Sequence, residues 1–180
     1  MKSNIATAAF LLLCILVFGF GMNSCGGAAT KDRFAYTDHN FDAKISGNID
    51  GKEFSVILKN RPNAAEDECA TVLSFESPAS LNGLVLSRDT EGICEARLYE
   101  LILQDFKADG LFEPFLSLLY SGEISSVKKT EKGDTVIRVN DATFDLEYTF
   151  PEGYEYPYSI KGNVGGREIE LFIKRLDFIF

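Results

Sequence analysis

The chain has 180 residues, 46% of them hydrophobic and 12% aromatic, which suits one domain with a packed core and excludes wholesale disorder. Its formal net charge of −9 repels phosphate backbones, and no basic aromatic patch offsets it, so nucleic acid is excluded as a partner. His39 is the one histidine, which also excludes Ser-His and Cys-His nucleophile pairs and multi-histidine metal sites.

Met1-Lys-Ser-Asn4 is a short basic start, and Ile5 to Phe20 is an uncharged run of 16 residues, shorter than the ~20 of a comfortable membrane span. Residues 1–24 read as an export signal. Met22-Asn-Ser-Cys25-Gly-Gly follows, and it resembles the lipobox of bacterial lipoproteins. That resemblance implies a diacylated, palmitate-type anchor on Cys25 and an extracytoplasmic protein held at the bacterial cell membrane. Ser24 and Cys25 fit the pattern; Met22 and Asn23 depart from it. The alternative is ordinary cleavage near Ala28 or Ala29, which would release a soluble protein. Residues 25–40 read as the lipidated cysteine and a flexible tether, being small and polar with no sustained period.

From Phe41 the pattern turns to alternation. Phe41, Ala43 and Ile45 share a face, Asp50-Gly51 offers a hairpin turn, and Phe54, Val56 and Leu58 follow. Arg61 to Glu68 is a polar loop with an Asp-Glu cluster. Cys69, Thr71, Leu73 and Phe75 line the next strand, Leu84 and Leu86 another, and Cys94, Ala96 and Leu98 a third. In the stretch Gly110 to Tyr120, Phe112, Phe115, Leu116 and Leu119 recur at helical spacing, with Leu111 and Leu118 widening the face. Asp109 and Gly110 suit its start, Pro114 falls near the first turn, and Gly122 ends it. Beyond it, Glu123 to Lys129 and Asp134 to Val139 form a hairpin. Ala142 to Phe150 alternates without a fault, with Ala142, Phe144, Leu146, Tyr148 and Phe150 inward. Tyr154, Tyr156, Tyr158 and Ile160 share a face of a strand that Pro157 confines to an edge or a bulge. Ile169, Leu171 and Ile173 make the last strand, and a one-residue slip at Lys174-Arg175 brings Leu176, Phe178 and Phe180 to the same side.

The expected fold is therefore mainly β (α+β): a single strongly curved antiparallel sheet of about ten strands, a half-barrel wrapped around one helix. One helix of three turns cannot cover so many apolar strand faces, so the sheet must curl around it or leave a groove.

Phe75-Glu-Ser-Pro-Ala-Ser-Leu-Asn-Gly83, Tyr156-Pro157 with Ile160, and Arg167 to Phe178 carry a resemblance. On these pieces residues 41–180 resemble the LolA/LolB/LppX superfamily of lipoprotein-sorting and lipid-binding proteins, which includes GerS-like clostridial lipoproteins. The resemblance implies a bent antiparallel sheet around helical lids, with an apolar cavity for acyl chains. The chain departs from it in having little room for an N-terminal helix and only one obvious lid.

Catalysis finds little footing. Ser126-Val-Lys-Lys129 has the S-x-x-K spacing without its companion motifs, and no metal or cofactor site is expected. Cys69 and Cys94 are a candidate disulfide, although in a meander they lie two strands apart, ~9 to 10 Å, beyond the ~7 Å reach of a bridge. The other reading is two small buried hydrophobes. Tyr154, Tyr156 and Tyr158 are packing residues before they are a stacking platform. The expected function is to bind a lipid, an acyl chain or a lipidated protein against an apolar wall of Phe54, Leu73, Phe75, Leu86, Phe112, Phe115, Leu119, Phe144, Leu146 and Tyr148. The alternative is a non-enzymatic module with a filled core that recruits an envelope protein partner.

Overall fold

The computed structural model describes residues 32–65, 68–89, 94–104, 109–120 and 122–180. The chain divides into two units, and all of these residues belong to the second, Asp32–Phe180. The signal, Cys25 and the first part of the expected tether lie outside the described residues, as do Glu66 and Asp67 of the acidic loop.

Eleven strands form one open sheet. They are β1 (Phe41–Ile49), β2 (Lys52–Asn60), β3 (Thr71–Ser77), β4 (Leu84–Arg88), β5 (Cys94–Leu98), β6 (Leu101–Gln104), β7 (Glu123–Lys129), β8 (Thr135–Asn140), β9 (Phe144–Phe150), β10 (Ser159–Val164) and β11 (Arg167–Phe178). Helix α1 (Asp109–Leu116) joins β6 to β7. The spatial order is β6-β5-β4-β3-β2-β1-β11-β10-β9-β8-β7, and every neighbouring pair is antiparallel. Two meanders thus meet at the β1–β11 seam, with β6 and β7 as the edges.

Alternation decides which face is buried. In β1, Phe41, Ala43 and Ile45 are buried between half-buried or exposed neighbours, and β2, β3, β8 and β9 repeat the pattern. The β1–β2 turn uses Asp50 and Gly51 at φ 51° and 76°, the left-handed pair that a tight two-residue hairpin requires. The expected slip near the end of β11 is present: Lys44 pairs with Arg175 and Ile45 with Ile173, so Lys174 is the extra residue. That bulge returns Leu176 to the buried face after the exposed Lys174 and Arg175.

Several expectations need correction. Residues 32–38 of the expected tether form a 3-10 helix whose Phe34 and Tyr36 are buried in the core. Phe34 meets Tyr148 and Phe150 edge-on at 5.1 and 5.7 Å, and the Asn60 amide donates to the Thr37 and His39 carbonyls. Two large aromatic side chains in a short polar stretch stabilise the segment through tertiary packing, which periodicity does not register. Tyr154 to Tyr158 is not strand; β10 begins at Ser159, and Tyr154 and Tyr158 are exposed. The turn at Pro151–Gly153 and the missing amide of Pro157 hold the chain off the ladder. Ala142 and Phe180 are exposed, and Cys69 precedes β3 in an exposed loop. The Cys69 thiol is free, so the candidate bridge is not formed.

Candidate functional site

Helix α1 ends sooner than its apolar spacing suggests. Ser117–Leu119 tightens into a 3-10 turn, and Tyr120 is already extended. The tighter turn brings Leu118 inward with no exposed surface, while Leu119 is only partly buried. The last carbonyls of a helix lack intrahelical donors. Here tyrosines supply them: Tyr36 Oη–H donates to the Leu118 carbonyl and Tyr148 Oη–H to the Ser117 carbonyl, both at 2.7 Å. Burial pushes the pKa of both phenols far up, so they remain donors throughout the neutral range. Earlier in the helix, Phe115 meets Phe54 at 4.9 Å and Phe75 at 5.2 Å, both edge-on. Tyr120 stacks on Phe144 at 4.9 Å.

The ten side chains expected as an apolar wall all lie in or against one hydrophobic cluster. Phe54, Leu73, Phe75, Leu86, Phe112, Phe115, Leu146 and Tyr148 are buried in it, and Leu119 and Phe144 pack on its rim. Around Phe115 these residues touch one another as core.

The apolar face continues past that core toward one edge. Cross-strand partners share a face of the sheet, and the pairings run Leu58–Leu73–Leu86–Ala96–Leu103 from β2 to β6. Along this row Leu86 is 1% exposed and Leu103 is 58% exposed. The parallel row Leu84–Leu98–Leu101 ends with Leu101 at 75% exposure. Thus the side of the sheet that buries the core continues as an apolar wing over β4, β5 and β6, with leucines that keep much of their surface accessible. Sequence reasoning missed β6. Leu101-Ile-Leu is apolar on both faces and shows no alternation; the uninterrupted run itself was the available signal.

Among the described residues Arg88 is the charged one on this wing. It follows Leu84 and Leu86 at period two, on their face, and is half-buried. Among the described residues it forms no ion pair. Tyr120 reports its neighbourhood: burial and the Glu113 charge push that phenol up to about 12, while the Arg88 charge acts in the opposite direction. Arg88 and the end of the helix region therefore lie within electrostatic reach of each other.

The remaining candidates do not assemble. Ser126 and Lys129 are three apart on β7, so they point to opposite faces. His39 sits edge-on to the Phe178 ring at 5.9 Å. Among the described residues no three His, Cys, Asp or Glu side chains gather as metal ligands. Tyr154 and Tyr156 meet edge-on at 5.9 Å and 83°, which presents no common flat platform. A groove on the outer face, lined by Arg138, Asp145, Glu147 and Lys161 among others, is crossed by the Arg138–Asp145 pair and flanked by the Lys161–Glu170 pair. Among the described residues no helix is long and apolar enough to cross a membrane.

No protein-family model and no curated protein matches the sequence. Solved structures do match, and the likeness to LolA- and LppX-type proteins expected from the sequence is present among them. An uncharacterized conserved protein from Thermus thermophilus is similar with TM-score 0.56 at 15% identity, over 85% of this chain and 88% of that one. A LolA superfamily protein from Nitrosomonas europaea is similar with TM-score 0.46 at 9% identity, over 83% and 93%. The lipoprotein LppX of Mycobacterium tuberculosis is similar with TM-score 0.43 at 11% identity, again over 83% and 93%. At such identities the likeness concerns the fold.

Proposed function

We propose that the protein is a non-enzymatic, extracytoplasmic lipoprotein, anchored through Cys25, that shelters a lipid, an acyl chain or a lipidated protein on the inner face of a curled sheet. The observation that carries this reading is the row Leu73–Leu86–Ala96–Leu103, which passes from core to open surface without a polar interruption. Apolar surface of that kind costs free energy in water, roughly 25 cal/mol per Å², and an acyl chain laid along it would remove that cost.

Two features favour a curled sheet. Laid flat, β3 and β9 would be roughly 24 Å apart, yet Phe115 and Ser117, two residues apart, touch Phe75 of β3 and Tyr148 of β9. At Gly47 and Gly162 a Cβ would collide with a carbonyl oxygen of the neighbouring strand, that of Glu170 and of Asp145 respectively, the close approach that glycine permits where a sheet bends.

The test is native mass spectrometry of protein purified from cells, combined with titration of a fluorescent acyl probe. Co-purifying lipid and saturable uptake are expected; reproducible failure of both would end the proposal. Intact mass of the mature N-terminus checks the anchor. A second reading has one observation in its favour: β6 is an edge strand without a charged residue or proline, whereas the other edge, β7, carries Lys128, Lys129 and a bulge after Ile124. Strand addition by an envelope protein would use that edge, and cross-linking from position 102 in intact cells would capture it.

A further inference from the structure

Resting on the sheltering role proposed above, we infer that the ligand is an anionic amphiphile: its chain lies along Leu84, Leu98, Leu101 and Leu103, and its carboxylate or phosphate head is held by Arg88. The wing alone would take any greasy chain. Arg88 makes it selective.

The placement follows from register. Arg88 extends the line Leu84–Leu86 by one more inward position and pairs across the sheet with Thr71 and Cys94. It lies four residue steps along the strand from Leu84, about 13 Å, so a head at Arg88 leaves a chain of that length over leucine before the end of the strand. A half-buried guanidinium beside an apolar face is costly unless it is paired. The seven ion pairs among the described residues each join other partners. Planar forked donors match both carboxylate and phosphate oxygens in pairs, which a neutral ester or alcohol head cannot fully reproduce. Glu113, the acid whose charge also reaches Tyr120, opposes Arg88 there. Any discrimination must then come from direct contact with the guanidinium rather than from a general positive field, and an anion without a chain should gain little.

The experiment uses the chain from Gly26 onward, which retains the whole compact unit and carries no anchor acyl group of its own. A neutral fluorescent acyl probe is displaced by palmitate, hexadecyl phosphate, methyl palmitate and hexadecanol, with acetate and inorganic phosphate as headgroup controls. Palmitate or hexadecyl phosphate, or both, should displace the probe at about tenfold lower concentration than the neutral pair. Their order tells which head the site prefers. Arg88→Gln should remove that advantage while leaving methyl palmitate unchanged, and Arg88→Lys should retain part of it. Equal displacement by acid and ester on the unaltered protein would overturn the assignment without touching the sheltering role. So would an advantage that survives Arg88→Gln, or displacement by the chainless anions at similar concentrations. Failure of every amphiphile, with no uptake of the probe, would instead remove the sheltering role itself.

Discussion

The Tyr148 hydroxyl donates at 2.7 Å to the carbonyl of Ser117, and the next carbonyl along, that of Leu118, accepts from Tyr36 at the same distance. One phenol comes from the centre of β9 and the other from the 3-10 helix that precedes β1. Together they fix the C-terminal end of the helix region to two sequence-distant parts of the unit. The two bonds are not equivalent, because the Ser117 carbonyl also accepts the Tyr120 amide at 3.3 Å. Tyr36→Phe should therefore be the more destabilising change, by roughly 1 to 3 kcal/mol, with Tyr148→Phe nearer ~1 kcal/mol. Urea unfolding of the two variants checks the order; a larger loss for Tyr148→Phe would show that the Leu118 carbonyl has another donor.

The same phenols set a dependence on alkaline pH. Both have folded-state pKa values raised by burial. A raised pKa contributes stability that is complete below the unfolded value, about 10 for tyrosine, and is lost as pH rises above it, since only the unfolded chain ionises there. Stability should fall above pH ~10 by about 1.4 kcal/mol per pH unit for each such phenol. Denaturant midpoints between pH 8 and 11 measure it. The Tyr36→Phe, Tyr148→Phe double variant should lose two such contributions to the slope, and an unchanged slope would mean that these phenols ionise in the folded state.

Phe34 and Tyr36 are 8% and 2% exposed, so they belong to the core although they precede β1. Removing residues 1–31 should leave the thermal transition nearly unchanged. Removing residues 1–39 takes both rings away, together with the donor to Leu118. By the measure of burying one aromatic side chain, that should cost at least ~3 kcal/mol. Equal melting temperatures for the two truncations would return residues 32–39 to the status of a tether.

These corrections show which signals sequence carries. Strict period-two segments such as Phe144 to Phe150 were legible because one face is buried and the other wet. The slip at Lys174 was legible for the same reason, since two charged residues in a row break an otherwise regular count. The 3-10 helix at 32–38 was not, because its two anchors find their partners more than eighty residues away, on β9 and at the end of the helix region. Strand β6 and Arg88 were missed for different reasons: β6 is apolar on both faces, and an arginine in a strand gives no sign of its environment until the register places it beside leucines. Of the wall, the buried part and Leu98 were readable from alternation, whereas Leu101 and Leu103 on β6 were not.

Leu103 and Ile102 are adjacent on β6, 58% and 54% exposed, and face opposite sides of the sheet. Leu103 stands opposite Ala96 on the inner face; Ile102 stands opposite Arg97 on the outer one. Because both already keep about half their surface in water, replacing either by aspartate should cost no more than ~1 kcal/mol of stability, so a change in function would not be a folding defect. If the wing holds an acyl chain, Leu103→Asp places a charge on the path of that chain and should weaken probe uptake at least tenfold, about 1.4 kcal/mol. Ile102→Asp, on the far side, should leave uptake within a factor of about two, well under 1 kcal/mol. Strand addition at the edge predicts a different pattern: a partner pairing with β6 would sense both substitutions, and uptake of the probe would sense neither. Parallel measurement of probe affinity and in-cell cross-linking for the two variants separates the readings, and equal loss of uptake in both would place the chain across the edge of β6 instead of on its inner face.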